Sequence, residues 1–330
     1  MKTSPNTGSC ESLLRFSESA PSPLPPPPPP PPKRKTLPYC SQVVNTNQPL
    51  DPPKNRYIHG GAWRDPRIGH ETFAPIIDRM VAVAASGYPA GGIAAFASLG
   101  YRLSPHPEFP QDPAETPPRR LRNAAHPDHV DDVRAALAYL QGRYGSLGSN
   151  YVLVGHSAGA CLALQLLHGS SSSGRPSPGP NPNPNPGPNT RDSDDVVLPR
   201  AIVGFEGIYD FTGLNARMGG GYAGFLSGAF GDPRGWDAAA PMTLPGSYGE
   251  RCECSGGKAM MMMMMVLGWS PDDELIDEPE IDGMVARLEG DGVETKVFKD
   301  LRGKHDEIWQ DGSGVARMIR AALDALSGAS

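Results

Sequence analysis

Gly155-His156-Ser157-Ala158-Gly159 is a G-x-S-x-G string that follows the apolar run from Tyr151 to Val154 and precedes a helical segment. A chain turning sharply from strand into helix needs small residues on both sides of the turn. Such a turn leaves the Ser157 hydroxyl standing at the carboxyl edge of a sheet, over a helix N-terminus that favours negative charge. That is the setting of a nucleophilic serine. Upstream, at the end of a strand of its own, stands His59-Gly60-Gly61-Ala62-Trp63. Two glycines let the backbone approach a reacting carbonyl and aim N–H groups at a developing oxyanion. Alone, the string would read as a Gly-Gly turn. Paired with the serine turn in this chain order, it reads as an oxyanion hole built from the N–H groups of Gly61, Ala62 and Ala158. His59, Gly60, Trp63, Gly155 and Gly159 then support the geometry.

A serine of this kind needs a base, and on a strand–serine–helix scaffold the acid and then the histidine follow the nucleophile along the chain. The eight histidines are at 59, 70, 106, 126, 129, 156, 168 and 305, so only His305 lies beyond the helix after the nucleophile. It sits between a strand and the last helix, where a general base belongs. The acid is expected just past the apolar run ending at Leu267. Asp272, Asp273 and Asp277 compete there, with Glu274 open as well. Asp273 is preferred because it heads the Asp-Glu-Leu step into the next helix, with Asp272 in reserve. No metal or other cofactor is expected. His126-x-x-His129 lacks further ligands and reads as a helix start, and Cys252-x-Cys254 lacks a second pair.

The elements that must position these groups alternate along the chain. Short strands are expected over 56–59, 93–102, 151–154, 201–205, 260–267 and 293–298. Helices are expected over 73–85, 127–143, 158–168, 280–289 and 315–326. Phe73, Ile76, Ile77, Met80 and Val81 share one helical face, and Asp128, Asp131 and Asp132 load the first turns of the second helix, as the macrodipole prefers. The six methionines at 260–265 read as adaptable filler in a core strand. Strand–helix alternation predicts an α/β fold: a mostly parallel sheet with helices on both faces, in a single domain.

Composition narrows the partners. The 330 residues include 39 Gly and 38 Pro, a level that taken whole would suggest disorder. Sorted by position, 11 prolines fall in residues 21–38 and seven more in 176–188. Residues 1–50 therefore read as a disordered Pro-rich leader, and 51–330 as the catalytic domain. Residues 169–199 read as a low-complexity loop inserted in that domain. A net charge of −6 leaves no basic excess for nucleic acid. The longest apolar run, Ala259 to Leu267, is too short to span a bilayer, and the N-terminus lacks an apolar signal region. Five cysteines, an odd number, fit a reduced chain. The expected location is cytoplasmic, with a small-molecule substrate, no nucleic acid and no membrane partner, and a homodimer left open.

His59 to Trp63 followed by Arg64-Asp65-Pro66, the Gly155–Gly159 string, Ser270-Pro-Asp-Asp-Glu-Leu275 and Gly303-Lys-His-Asp-Glu-Ile-Trp309 together resemble the kynurenine formamidase (arylformamidase) family of the α/β-hydrolases. Gly100 to Pro105, His126 to His129 and Glu206-Gly-Ile-Tyr-Asp210 fit the same family, and the likeness covers about residues 55–326. It implies an α/β-hydrolase fold and hydrolysis of N-formyl-L-kynurenine to L-kynurenine and formate, through Ser157, Asp273 and His305. Trp63 is expected either to stack on the substrate ring or to pack its loop on the core. Arg64 is expected either to bind the substrate carboxylate or to make a surface salt bridge. Two rival readings share the scaffold: a general carboxylesterase, and a non-catalytic hydrolase fold that binds a ligand.

Overall fold

Side chains along the central strands divide with period two between two buried faces, and that division builds the molecule. In a computed structural model of the chain, the described residues are 40–45, 54–85, 93, 95–144, 150–168, 196–252 and 263–327. Their elements, in chain order, are β1 (Cys40–Asn45), β2 (Lys54–Ile58), α1 (Ala74–Ala85), β3 (Ala95–Leu99), α2 (Asp128–Tyr144), β4 (Tyr151–His156), α3 (Ala158–Gln165) and β5 (Ala201–Phe205). There follow α4 (Phe211–Arg217), α5 (Ala223–Phe230), α6 (Tyr248–Cys252), β6 (Met264–Gly268), α7 (Glu278–Gly290), β7 (Thr295–Phe298), α8 (Glu307–Asp311) and α9 (Ser313–Ser327).

The strands form one sheet in the order β1-β3-β2-β4-β5-β6-β7. Strands β2 to β7 run parallel, and β1 pairs antiparallel with β3 at the edge. Tyr151 and Leu153 of β4, Ile202 of β5 and Met265 and Leu267 of β6 face the core shared with α2, α3 and α7. Val152 and Val154, then Ala201, Val203 and Phe205, then Met264 and Val266 face the core shared with α1 and α9. Helices therefore cover both faces. Each fully buried Val, Leu or Ile contributes about 1.5–3 kcal/mol through lost water contact, so the central strands hold the sheet together and the loops at their ends are free to carry chemistry.

Strand β1 lies inside the segment expected to be a disordered leader. The other residues of 1–50 lie outside the described residues, as do 169–195 of the expected insertion and Met260 to Met262. Met263, Met264 and Met265 are buried, as a core strand requires.

Connectivity sets the place of the site. From β2 the chain crosses through α1 to β3 on one side, whereas from β4 it crosses through α3 to β5 on the other. Loops leaving β2 and β4 at their carboxyl ends thus diverge and open a crevice between them. His59 to Trp63 leaves one strand there, and Ser157 leaves the other. No helix among the described residues is long and apolar enough to cross a membrane.

Candidate active site

Ser157 occupies the turn between β4 and α3 at φ 52° and ψ −118°, a backbone conformation that L residues rarely adopt. Two contacts over-determine it. The Ser157 N–H donates to the Phe205 carbonyl at 3.0 Å, and the Ser157 carbonyl accepts from Ala160 N–H at 3.0 Å. Gly159 is required because a Cβ there would overlap the Ile58 carbonyl, where α3 packs against the end of β2. A Cβ on Gly60 would come within 2.7 Å of His156 Nδ1 and 3.1 Å of Ser157 Cβ. The two glycine motifs are thus complementary: each is small where the other loop passes.

The loop between β7 and α8 carries His305, which is 6% exposed, against 3% for Ser157. Its Nδ1 lies 2.8 Å from Asp273 Oδ2. Burial alone would raise the Asp273 carboxyl, but the His305 hydrogen bond and the interaction with the neighbouring Glu206 carboxyl outweigh it and lower it from 3.8 to about 2. An ionised Asp273 fixes the tautomer. Nδ1–H donates to the carboxylate, which leaves Nε2 bare to accept a proton.

The neighbouring acids have other partners. Asp272 accepts the Gly303 N–H at 3.2 Å, Glu274 accepts the His305 N–H at 3.1 Å, and Asp277 pairs with Arg217 at 2.7 Å. Asp273 Oδ1 also accepts the N–H groups of Leu275 at 2.7 Å and Ile276 at 3.0 Å. Both loops that carry the pair are therefore tied to each other by backbone as well as by side chain.

His156, which the sequence offers only as a motif position, has a placing role. Its ring stacks on Phe205 with centroids 4.9 Å apart, and its Nε2–H donates to the His305 carbonyl at 3.2 Å. Burial first, and then the nearby His305, push its pKa well below the ordinary value, so it is a neutral strut under the His305 loop.

At the other rim, Gly61, Ala62 and Trp63 all have positive φ, at 88°, 47° and 60°. Tyr101 stacks on His59 at 4.4 Å, and its hydroxyl reaches the carbonyls of His59 at 3.1 Å and Gly60 at 2.9 Å. With the carbonyls held inward on Tyr101, the Gly61 and Ala62 N–H groups take no backbone acceptor among the described residues. Ala158 N–H, in the first turn of α3, is free by helix geometry. His59 itself is buried, which lowers it to about 4 and keeps it neutral. Trp63 is 0% exposed and packs edge-on against Phe211 at 5.7 Å and Phe230 at 4.9 Å. It anchors the loop in the core and offers no face to a ligand, which settles that alternative against stacking on substrate.

Ser157, His305, Gly61 and Ala62 line one cleft of about 240 Å³. Its wall is apolar at Ile208, Phe225, Leu275 and Ile276, and Arg64 and His106 lie at its polar side. Arg64 makes no ion pair among the described residues; its guanidinium stands 5.6 Å from the Phe225 ring centroid. The surface salt bridge, one of the two alternatives for this residue, is therefore not formed, and Arg64 lines the cleft together with Asp65 and Asp306.

Two groups of donor atoms are close enough for a cation, His156 with His305 and Asp306, and Glu206 with Asp273 and His305. Both draw on His305, whose Nδ1 is already engaged by Asp273. A cation in the second group would displace the proton of that hydrogen bond, so that group fits a hydrogen-bonded acid–imidazole pair better than a metal. His129, of the other histidine pair, meets Ser104 Oγ at 3.0 Å.

Curated proteins similar to the chain decide the family. The kynurenine formamidase avaC of Aspergillus versicolor is 35% identical over 282 residues, covering 78% of this chain and 84% of that protein. The chain belongs to the kynurenine formamidase family. A kynurenine formamidase-like hydrolase, fscH, from Fusarium equiseti is 33% identical with 82% of each chain covered, and the kynurenine formamidase of Meyerozyma guilliermondii is 26% identical. No family model matches the sequence. Among solved structures, the acetyl ester-xyloside bifunctional hydrolase of Caldicellulosiruptor lactoaceticus superposes with a TM-score of 0.54 at 16% identity, covering 87% of each chain. The carboxylesterase Cest-2923 of Lactobacillus plantarum gives 0.54 at 15% identity, with 87% of this chain and 91% of that one covered. These place the kynurenine formamidase family member in the α/β-hydrolase fold, and the chain is a hydrolase of that family.

Proposed function

We propose that the chain hydrolyses the formamide bond of N-formyl-L-kynurenine, releasing L-kynurenine and formate. The observation that carries this reading is the meeting of Ser157 and the Asp273-paired His305 in one cleft, in a chain of this family. Ser157 Oγ attacks the formyl carbon while His305 Nε2 takes its proton. The resulting oxyanion accepts hydrogen bonds from the N–H groups of Gly61, Ala62 and Ala158. Collapse breaks the C–N bond, and the proton on His305 passes to the departing aryl amine. Water then attacks the formyl-serine, giving its proton to His305, and formate leaves as Ser157 is reprotonated. An aryl amine is a better leaving group than an alkyl amine, so proton transfer and oxyanion binding supply the chemistry. The apolar wall suits the aryl ring, and Arg64 suits the amino-acid carboxylate.

The test is a paired assay. The expected kcat/KM for N-formyl-L-kynurenine is far above that for p-nitrophenyl butyrate. A preference for the butyrate ester would instead assign the chain as a general carboxylesterase.

A further inference from the structure

Four non-glycine residues among those described have positive φ, and they are Ala62, Trp63, Ser157 and Glu206. The first three shape the oxyanion loop and the nucleophile turn. Glu206, at φ 49°, is the fourth, and no step above uses it. Residues held in such conformations persist only where their surroundings over-determine them, and they gather at functional sites.

Glu206 directly follows β5 and is 0% exposed. Its N–H donates to the Gly268 carbonyl at 3.0 Å, which ties it to the end of β6. The loop beyond it is pinned by Glu280, which accepts the Tyr209 N–H at 2.5 Å and the Asp210 N–H at 2.6 Å and pairs with Arg217. Neither Glu206 oxygen finds a donor of ordinary hydrogen-bond geometry among the described residues. What they face is the catalytic pair: Glu206, Asp273 and His305 each present a polar atom within 4.8 Å of the other two. Two carboxyl groups this close and this deeply buried do not both ionise. One retains its proton, and only then does either possess a hydrogen with which to bond the other.

We propose that Glu206 is a positioning residue, held as a neutral carboxylic acid whose O–H donates to the Asp273 carboxylate, so that the hydrogen-bond chain runs from Glu206 through Asp273 to His305. The assignment of the proton follows from the partners. Asp273 receives His305 Nδ1–H and the N–H groups of Leu275 and Ile276, all of which favour its charged form. Glu206 has no comparable set. The titratable groups around it are Asp273 and Glu274 from the loop after β6, His305 from the loop after β7, and Tyr209 from its own loop. Burial, the Asp273 contact and the nearby acids raise the Glu206 carboxyl to about 11, against a smaller opposing effect of the Ser270 backbone. Its function is to share the negative charge of Asp273 and aim that carboxylate at the imidazole. The inference rests on the base–acid reading of His305 and Asp273 but not on the identity of the acyl group.

The test combines a spectrum with kinetics. At about pH 8, above every ordinary carboxylic acid value, the infrared difference between the full chain and its Glu206→Gln variant is expected to show a neutral carboxylic-acid C=O band. A carboxylate band in its place would overturn the proposal whatever the substrate proves to be. In the kinetic arm, Glu206→Leu removes the donor and is expected to lower kcat about 10- to 100-fold with KM little changed. It should also shift the acid limb of kcat/KM upward by about half a pH unit, since an unshared Asp273 charge stabilises the imidazolium more strongly. Glu206→Gln, whose amide keeps a donor, is expected to restore most of that loss and to return the limb to its original position. If the Gln variant moves the limb downward, a negative charge has been removed and Glu206 was ionised. If both variants lose stability with kcat and the pH limb unmoved, its role is structural only. Failure of the formamidase reading would appear as the ester preference in the paired assay and would leave the infrared result intact.

Discussion

In the proposed mechanism Ser157, His305 and Asp273 act through single atoms, so their removal is read directly in turnover. Ser157→Ala and His305→Ala are each expected to lower kcat by at least roughly 10³, measured on N-formyl-L-kynurenine; near-normal turnover in either would remove it from the mechanism. Asp273→Asn should be far more damaging than Asp272→Asn, because only Asp273 meets His305 Nδ1. The proposed nucleophile and base stand out in the residues alone: the serine turn has a sequence signature, and His305 has no rival downstream. The acid is less so. Four acids crowd one loop, and successive residues of a tight turn point to different sides, so spacing cannot rank them. Glu206 shows in the sequence only as the first residue of a string that fits the family, with no role attached to it. A lone glutamate after a strand is ordinary, and its positive φ exists only once β5 and β6 are paired.

At the scale of elements, the loop after β2 is held in shape by a residue from the loop after β3. Tyr101→Phe removes the hydroxyl that gathers the His59 and Gly60 carbonyls but keeps the ring on His59. The expected outcome is a kcat about 10-fold lower with KM nearly unchanged, since oxyanion donors bind the transition state more than the substrate. An unchanged kcat would mean that the glycines hold the loop unaided. Central strands are legible in sequence because continuous apolar runs such as Ala201 to Phe205 admit few other readings. Strand β1 is not, because its partner β3 lies some fifty residues away and no local pattern announces an edge pairing. Helices α4 and α5 also escape, being short and separated by Gly219-Gly220-Gly221.

For the whole molecule, neutral histidines in the interior make acid its weak side. His129 is fully buried, and burial lowers it to about 3, while His59 is lowered to about 4. Below the ordinary value of 6.5 the unfolded chain binds protons that the folded one refuses, so stability present above that value is lost as pH falls toward 4. Each such residue costs on the order of 1 kcal/mol per pH unit across that window. Melting temperatures measured from about pH 7 to about pH 4 should fall, and His129→Gln, which keeps a donor toward Ser104, should flatten the decline. A slope unchanged in that variant would place the sensitivity elsewhere. The backbone of Ser157 has a consequence of a different kind. Glycine ordinarily makes a protein less stable than alanine at the same position, by roughly 0.5–1 kcal/mol. At φ 52° and ψ −118° that ranking should reverse, with Ser157→Gly melting above Ser157→Ala although both lack the serine hydroxyl. The reversal would mean that this hydrolase gives up heat resistance at its proposed nucleophile, and that selection for robustness alone would replace that serine.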